Sequence, residues 1–582
     1  MSKKPINKEK RKLNGRIVIV GIFFSLIYSA IALKAIYLQV FQAEWLANKA
    51  LQEYEKDLVV KGKRGSIYDC KFKELAISIK ATSIAVFTKQ IVESKSTASD
   101  LSKILNIDKN AISKQLESNS SFVWIKRQAS PKEVEEVKKL KIKGISFISE
   151  ASRYYPKKTI AGQVIGFSGI DDKGLEGIEY YYNKYLEGKP CRSKILKDAL
   201  GRGFNECECE EIDSNGKNIV LTIDSNIQYI TDKALEEAVT KHSANYGLAI
   251  VMSPKNGEIL AISNYPFVNP NSFGEYEKGI RRNKVITDAF EPGSTMKIFL
   301  AAAALESGIC NEGSVFFCEN GLYKVGRNVI HDTHSYGWLS LFDIIKFSSN
   351  IGSTKITELI GKKQLYDTLT AFGFGQKTNI NLGGESCGSL SSYKQWKEID
   401  AGNISFGQGI SVSPLQLVTA TCAIANGGIL YKPYIVKEII DNDGNCIKKF
   451  THQQKRRVIS KKTSSIIKNI MSGVVTDGTG TNASVEGYNV CGKTGTAQKI
   501  DFETGRYARG KYFSSFLGFA PAENPEIVVF VALDEPKKYY YGGTVAAPAF
   551  KMIVRETLNY LHVPPLIENK ELIMTIAKQL NN

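Results

Sequence analysis

Ser294 and Lys297 stand three residues apart in the run Phe290-Glu291-Pro292-Gly293-Ser294-Thr295-Met296-Lys297-Ile298-Phe299. On a helix that spacing stacks the two side chains on one face, about a turn apart. A serine hydroxyl is a weak nucleophile until a base takes its proton. A lysine is such a base only when burial or a nearby positive charge brings its pKa well below ~10.4. The pair is either chemistry or a coincidence of spacing, and S-x-x-K alone does not decide between them.

Two more runs follow in chain order. Lys346-Phe347-Ser348-Ser349-Asn350-Ile351-Gly352 contains S-x-N, and Val490-Cys491-Gly492-Lys493-Thr494-Gly495-Thr496-Ala497 contains K-T-G-T. Each is common alone, and Ser-Ser-Asn more often makes a cap or a turn. Together they supply what the first pair lacks. The Ser348 hydroxyl both donates and accepts, so it can relay a proton. The Asn350 amide can hold Lys297 and a substrate backbone. Lys493 adds positive charge that lowers the pKa of Lys297 and attracts a carboxylate, with Thr494 and Thr496 offering hydroxyls to it.

The elements around these residues read coarsely from pattern. Residues 42 to about 215 alternate strand-like runs (Val59-Val60, Ile77-Ser78-Ile79) with amphipathic helices (98–105 and 131–140), and hold no convincing catalytic cluster. A strand at 218–223 leads into a helix from Asp224, which is a good N-cap. Runs 246–253 and 258–263 flank Pro254-Lys255-Asn256-Gly257 as a hairpin. The K-T-G run reads as a strand, with 512–520 and 527–533 following. Helices through the middle and strands at both ends predict a mixed sheet covered by helices.

At 582 residues the chain holds more than one domain, and 43% hydrophobic against 23% charged residues suits a folded protein. The net charge of +18 invites a nucleic-acid reading. Zinc-finger spacing, RNP-like aromatics and a basic helix with heptads are all missing, so work beside an anionic membrane or wall fits better. Lys3, Lys4, Lys8, Lys10, Arg11, Lys12 and Arg16 face one acid, Glu9, ahead of an apolar stretch from Ile17 to Val40. That stretch can cross a core of ~30 Å, with Lys34 snorkelling near its outer end. The basic flank belongs in the cytoplasm and the rest outside. Apolar residues continue past Ala30-Ile31-Ala32, which favours an anchor over a cleaved signal peptide.

Three other features compete for a role. Cys310 and Cys318, among ten cysteines, are placed to pair across a short loop in an oxidising compartment. Cys207-Glu208-Cys209 is a poor metal site, and His331-Asp332-Thr333-His334 offers at most three ligands where zinc takes three or four. Cys491 and Lys493 share a strand face, which places a thiol near the site or buries a small hydrophobe. No metal and no cofactor is expected.

The ordered set S-x-x-K, S-x-N, K-T-G is the known signature of penicillin-binding proteins and class A β-lactamases, which carry Asp in the middle motif. The chain resembles class B penicillin-binding proteins of the cell-division type, the FtsI family, along nearly its whole length. Arg64-Gly65-Ser66-Ile67-Tyr68-Asp69, Arg153-Tyr154-Tyr155-Pro156 and Gly174-Leu175-Glu176-Gly177-Ile178-Glu179 match pedestal motifs. Asp288-Ala289-Phe290-Glu291-Pro292-Gly293-Ser294, Phe406-Gly407-Gln408-Gly409 and Tyr541-Gly542-Gly543-Thr544-Val545-Ala546-Ala547-Pro548 match the catalytic domain. Cys70-Lys71-Phe72 departs from the family's Arg-Asn-Gly and leaves that turn in question.

The resemblance implies an α+β fold in pieces: a basic tail (1–16), a transmembrane anchor (17–40), an elongated non-catalytic pedestal of the dimerisation type (41–215), a transpeptidase domain (216–562) and a tail (563–582). The transpeptidase domain is expected to hold an antiparallel sheet covered by helices, like serine β-lactamases. It implies that Ser294 forms an acyl-enzyme, Lys297 is its base, Ser348 and Asn350 assist, and Lys493, Thr494, Gly495 and Thr496 receive the substrate's carboxylate end. The backbone N–H groups of Ser294 and Thr496 then form the oxyanion hole. The implied reaction is D,D-transpeptidation of peptidoglycan stem peptides, blocked by β-lactams. Implied partners are the cytoplasmic membrane, an FtsW-type glycan polymerase and other division proteins, with no nucleic acid. Elongation- and sporulation-type enzymes, a penicillin hydrolase or carboxypeptidase, and a non-catalytic β-lactam sensor or scaffold are the competing readings.

Overall fold

The computed structural model describes residues 8–46, 49, 55–196, 214–501 and 503–566. Cys207-Glu208-Cys209 and most of the 563–582 tail lie outside the described residues. The chain divides into two compact units: Met1–Gly62 with Gly188–Asn215, and Lys63–Glu187 with Gly216–Asn582.

In the first unit a helix over Lys8–Ile36 continues as a π-helical turn, Tyr37–Phe41. Gly15–Phe41, 27 residues, is long and apolar enough to cross a membrane. At 1.5 Å per residue it spans ~40 Å against a hydrocarbon core of ~30 Å. It encloses the expected 17–40 stretch and fits a single-pass anchor. The unit also pairs Glu55–Lys61 antiparallel with Pro190–Leu196.

The second unit holds two large sheets and, among the described residues, three two-stranded ones. The larger runs Cys446–Lys449, Val436–Ile440, Asn218–Leu221, Ile67–Tyr68, Glu74–Val86 and Val123–Ala129, with Ile145–Tyr154 also on Glu74–Val86. Strands from before and after residue 216 thus share one ladder, joined where Ile67–Tyr68 runs parallel to Asn218–Leu221. The predicted amphipathic helices are present as Ser94–Leu105 and Pro131–Lys139, joined by Lys109–Leu116. They bury Ala98, Leu101, Leu105, Ile112, Val134 and Val137 against Ile84, Val86 and Ile125. Ser130 and Glu133 close a capping box and Pro131 takes the first turn, where its missing N–H costs nothing.

Three pedestal motifs far apart in sequence converge on one buried carboxylate. Arg64 Nε donates to Glu179 Oε2 at 2.6 Å and Arg153 Nε to Glu179 Oε1 at 2.7 Å. Arg64 also donates to Asn183 Oδ1 at 2.7 Å and to the Glu179 carbonyl at 2.8 Å. The Arg64 and Glu179 side chains are fully buried and Arg153 is nearly so. Buried charges persist only when paired and hydrogen-bonded, so each motif exists to satisfy the others.

The departing turn after Asp69 is made by other means. Asp69 Oδ1 accepts the N–H groups of Lys71 and Lys73, both at 2.8 Å, and Phe72 takes φ +59°, where glycine sits without strain. The Ser225 hydroxyl donates to Asp69 Oδ2 at 2.6 Å, and Lys71 Nζ lies 3.3 Å from Asp224, the cap of helix Ser225–His242. The turn therefore ties the pedestal motif to the first catalytic-domain helix.

The second sheet has the order Cys491–Ile500, Tyr507–Ala520, Ile527–Asp534, Tyr246–Met252, Ile259–Tyr265. Every pairing in it is antiparallel, which corrects the mixed sheet expected from element order and agrees with the β-lactamase-like expectation. Side chains alternate between faces along each strand. Ala249, Val251, Val529 and Val531 pack under Leu235, Val239, Phe550 and Ile553 of helices Ser225–His242 and Ala547–Tyr560. Leu248, Ile250, Phe530 and Ala532 join the larger core, with Leu417 and Val418 of helix Pro414–Ala425 and the whole apolar helix Lys297–Glu306. Such all-round apolar helices belong in an interior.

Replacing Glu179 with alanine leaves two buried guanidinium groups without their counter-charge. Stability should fall by about 3–5 kcal/mol, read from denaturant unfolding of the purified protein. An unchanged midpoint would mean the arginines find other partners.

Candidate active site

Ser294 lies in a 3₁₀ turn, Gly293–Met296, and Lys297 opens the α-helix Lys297–Glu306. A 3₁₀ turn eclipses residues three apart, so the pair shares a face as predicted, on a tighter turn than an α-helix. Ser294 is half-buried at the surface end. Lys297 is fully buried, and so is Lys493.

The two lysines meet at Ser348. Lys297 Nζ donates to the Ser348 carbonyl at 2.5 Å, to Asn350 Oδ1 at 2.8 Å and to Ser348 Oγ at 3.2 Å. Lys493 Nζ reaches the same Ser348 Oγ at 3.0 Å. Ser348 caps the helix Leu341–Phe347 in the left-handed region, φ +66°. That conformation costs a non-glycine residue about 1–2 kcal/mol, and here it turns both carbonyl and hydroxyl toward the lysines. Burial, then the positive charge of Lys493, push the Lys297 pKa well down, while Asp332 pulls it up. Burial brings Lys493 down to about 7. Both lysines thus give up a proton far more readily than a free ammonium, and Lys493 is about half charged near pH 7.

The K-T-G strand lies at the sheet edge beside the nucleophile turn. A Cβ on Gly495 would meet Ser515 Oγ at 2.4 Å, Thr295 Cγ2 at 3.0 Å and Pro292 O at 3.2 Å. Glycine is required there for the strand to approach the turn. Thr494 Oγ1 lies 3.0 Å from Thr479 Oγ1, and Thr496 Oγ1 accepts the Gly542 N–H at 3.1 Å. The Tyr541-Gly542-Gly543 run and the Thr479 loop thereby brace the strand from behind. Phe406-Gly407-Gln408-Gly409 braces the nucleophile turn: Gly293 N–H donates to the Gly407 carbonyl at 3.1 Å, and Gly409 N–H to Glu291 Oε1 at 2.8 Å. Of the residues singled out from sequence, Lys297, Ser348, Asn350 and Lys493 are joined by hydrogen bonds and Gly495 lies against the turn that carries Ser294, while Cys491 is engaged elsewhere. Its thiol is buried and donates to the Lys468 carbonyl at 3.2 Å, and burial pushes its pKa up.

Sequence reading missed Asp332, which was weighed only as part of a weak metal cluster. Its Oδ1 accepts the N–H groups of Asn350 and, at 3.1 Å, Ile351; its Oδ2 accepts the Ser349 hydroxyl at 2.5 Å. Asn350 Nδ2 donates to the His331 carbonyl at 3.0 Å. A carboxylate on the first N–H groups of helix Asn350–Ile360 satisfies orphan donors and suits the helix dipole. Asp332 positions the S-x-N motif from a hairpin strand, Asn328–His331, that ends beside it. The signal available beforehand was an acid lying between two motifs with no partner of its own. Cys310 and Cys318 are both free thiols, so the pairing expected for them is not made.

Asp332→Asn keeps the volume and loses the charged acceptor. Acylation of Ser294 by a fluorescent penicillin should slow by about 10–100-fold, since hydrogen bonds to charged groups are worth ~1.5–3 kcal/mol. An unchanged rate would show that Asn350 is held in place without Asp332.

Comparison with known proteins agrees with this geometry. Residues 247–555 match the penicillin binding protein transpeptidase domain, and residues 59–221 the penicillin-binding protein dimerisation domain. The chain is 36% identical over 559 residues to stage V sporulation protein D of Bacillus subtilis, covering 94% of this chain and 86% of that one. It is 31% identical over 539 residues to the peptidoglycan D,D-transpeptidase FtsI of Escherichia coli K12, covering 91% and 89%. Among solved structures, penicillin binding protein 3 of Mycobacterium tuberculosis complexed with aztreonam superposes with a TM-score of 0.69 at 27% identity, over 87% of this chain and 98% of that one. With two domains of the family in order and the S-x-x-K, S-x-N and K-T-G residues gathered round two buried lysines, the chain belongs to the class B penicillin-binding proteins of the FtsI type.

Proposed function

We propose that this protein is a peptidoglycan D,D-transpeptidase working through an acyl-enzyme on Ser294. The observation that carries the reading is the pair of fully buried lysines sharing Ser348 Oγ. Lys297, neutral, takes the Ser294 proton as Oγ attacks the carbonyl of a stem peptide's penultimate D-alanine. The C–N bond breaks as Ser348 passes its proton to the departing D-alanine nitrogen and regains one from Lys297, which is neutral again. An amine of a neighbouring stem then attacks the ester and loses its proton to Lys297; the ester C–O bond breaks and Lys297 returns that proton to the Ser294 oxygen. Lys493, Thr494 and Thr496 receive the substrate carboxylate, Gly495 lets the strand approach, and Asn350 holds Lys297. The backbone N–H groups of Ser294 and Thr496 serve the oxyanion; one such donor is worth ~10²–10³ in rate elsewhere. A β-lactam enters the same path and stays on Ser294.

In this reading the basic segment 1–16 is cytoplasmic, 17–40 spans the membrane, 41–215 is the pedestal and 216–562 is the catalytic domain outside, followed by the 563–582 tail. An FtsW-type polymerase and other septal proteins are the partners, reached through anchor and pedestal. Relatives named FtsI support a septal role, while the sporulation relative favours spore-wall synthesis as the second reading.

Fluorescent penicillin should label the wild-type chain and neither Ser294→Ala nor Lys297→Ala; label on the serine variant would remove the nucleophile. Cells living on Ser294→Ala alone should filament, whereas round cells mean elongation and normal growth with failed spores means sporulation. The lysines also set a pH profile. Acylation should rise as Lys297 loses its proton and fall through about pH 7 as Lys493 loses its charge. Lys493→Arg, which keeps its charge at every pH used, should lack the falling limb; a rate that keeps rising in the wild type would place the required charge elsewhere.

A further inference from the structure

A cavity of about 700 Å³ opens away from the motif residues, lined by the Pro254-Lys255 turn, the end of helix Pro414–Ala425, Tyr431, the 522–525 loop and one face of helix Lys461–Thr476. That volume suits a drug-sized ligand. The helix face is ordered by sequence: Lys461, Ser464, Ser465, Lys468, Asn469 and Ser472 recur at helical spacing and all line the cavity. The opposite side of the helix, Ile467, Ile470, Met471 and Val474, is fully buried. A polar stripe beside a concave surface is not needed to fold this helix, since an exposed face would do as well.

The cavity carries three lysines against one glutamate. Lys255 is paired with Glu526 at 2.5 Å, and Glu523 accepts from the Asn489 amide. The ammonium groups of Lys461 and Lys468 make no hydrogen bond or salt bridge among the described residues. Lys468 is half-buried, and burial lowers its pKa, a cost that a bound anion would offset. Asn426, Asn469, Asn489 and Asn524 place four amides around the same space, and Tyr431 one aromatic ring. Amides read hydroxyl and acetamido groups, and an aromatic face packs on a sugar ring. Asn489 lies four residues before Lys493, ~13 Å along an extended chain, so the cavity is separate from the acylation site.

We infer that this cavity is a second binding site, for a carboxylate-bearing amino-sugar peptide of the muramyl type. The inference rests on the wall-synthesis reading above, which puts such ligands on this side of the membrane. Lys461 and Lys468 together take the peptide's carboxylate and the amides take the sugar.

The test uses the full chain in detergent with Ser294 already acylated by penicillin, which closes the catalytic cleft. N-acetylmuramyl-L-alanyl-D-isoglutamine is titrated by calorimetry, beside N-acetylglucosamine and glycerol 3-phosphate. The muramyl peptide should bind, and its Kd should rise at least about tenfold in Lys461→Gln and again in Lys461→Gln/Lys468→Met. The rate of penicillin acylation reports folding in each variant, and the exposed Lys461→Gln alone carries the test if the double variant fails to acylate. No binding to the wild type, equal binding to Lys461→Gln, or preference for the neutral sugar or the phosphate would each overturn the site. Acylation intact with muramyl binding absent sinks this inference alone; acylation absent from the wild type sinks the proposed reaction.

Discussion

Two lysines buried in one site are the constraint on which this molecule turns. Moving an ammonium out of water costs several kcal/mol even after relaxation, and Lys297 and Lys493 are both fully buried. Neither has a carboxylate against it; their hydrogen bonds go to Ser348, Asn350 and Thr494. Carbonyl and hydroxyl oxygens satisfy the donors but supply no full counter-charge. Burial therefore favours the neutral amine at both lysines, and the positive charge of Lys493 adds to it at Lys297, as a serine nucleophile's base requires. A carboxylate placed at Ser348 would calm the electrostatics and leave Lys297 a protonated, useless base.

Holding that arrangement is the task of the surrounding fold, because two ammonium groups would return to water if the elements could move. Four segments that belong to different parts of the chain are locked in pairs by close backbone approach. Gly407 and Gly293 pack so tightly that a Cβ on Gly407 would sit 2.2 Å from the Gly293 carbonyl oxygen, and Gly542 approaches the Gly495 carbonyl oxygen at 2.4 Å by the same measure. Lys346 Nζ reaches Asp477 at 2.6 Å, tying the S-x-N helix to the loop behind the K-T-G strand. Asp332 fixes the remaining element. It is the acid nearest in effect to Lys297, yet its oxygens are spent on Ser349, Asn350 and Ile351, so it organises the amide without pairing the base.

Much of this was legible in the sequence for a physical reason. Ser294, Lys297, Ser348, Asn350 and Lys493 sit in short runs where local chemistry and local geometry coincide, and the hairpin at 254–257 and the cap at Asp224 are set by residues a few positions apart. What could not be read was held by long-range partners. Asp332 precedes its partners by 17 to 19 residues across a hairpin and a helix. The all-antiparallel sheet brings the 246–265 hairpin beside a strand at 527–534, and no pattern in either run states its neighbour. Cys310 and Cys318 are likewise free thiols, and Cys318 packs beside Ser349.

The pedestal motifs gain a different meaning from the ladder they occupy. A segment that only carried the catalytic domain away from a membrane would need its own closed sheet. Here Ile67–Tyr68 sits between Asn218–Leu221 and Glu74–Val86, so the strand following the Arg64 motif is a central member of a sheet with strands from residue 436 onward. Central strands carry ladder bonds on both sides and cannot slip without breaking both. Asp69, one residue beyond that strand, then caps its own turn and holds Ser225 at the start of a catalytic-domain helix. The buried Arg64–Glu179–Arg153 cluster thus fixes the register of a strand that both regions share. Loss of the cluster would reach the 218–221 and 436–440 strands through that shared sheet.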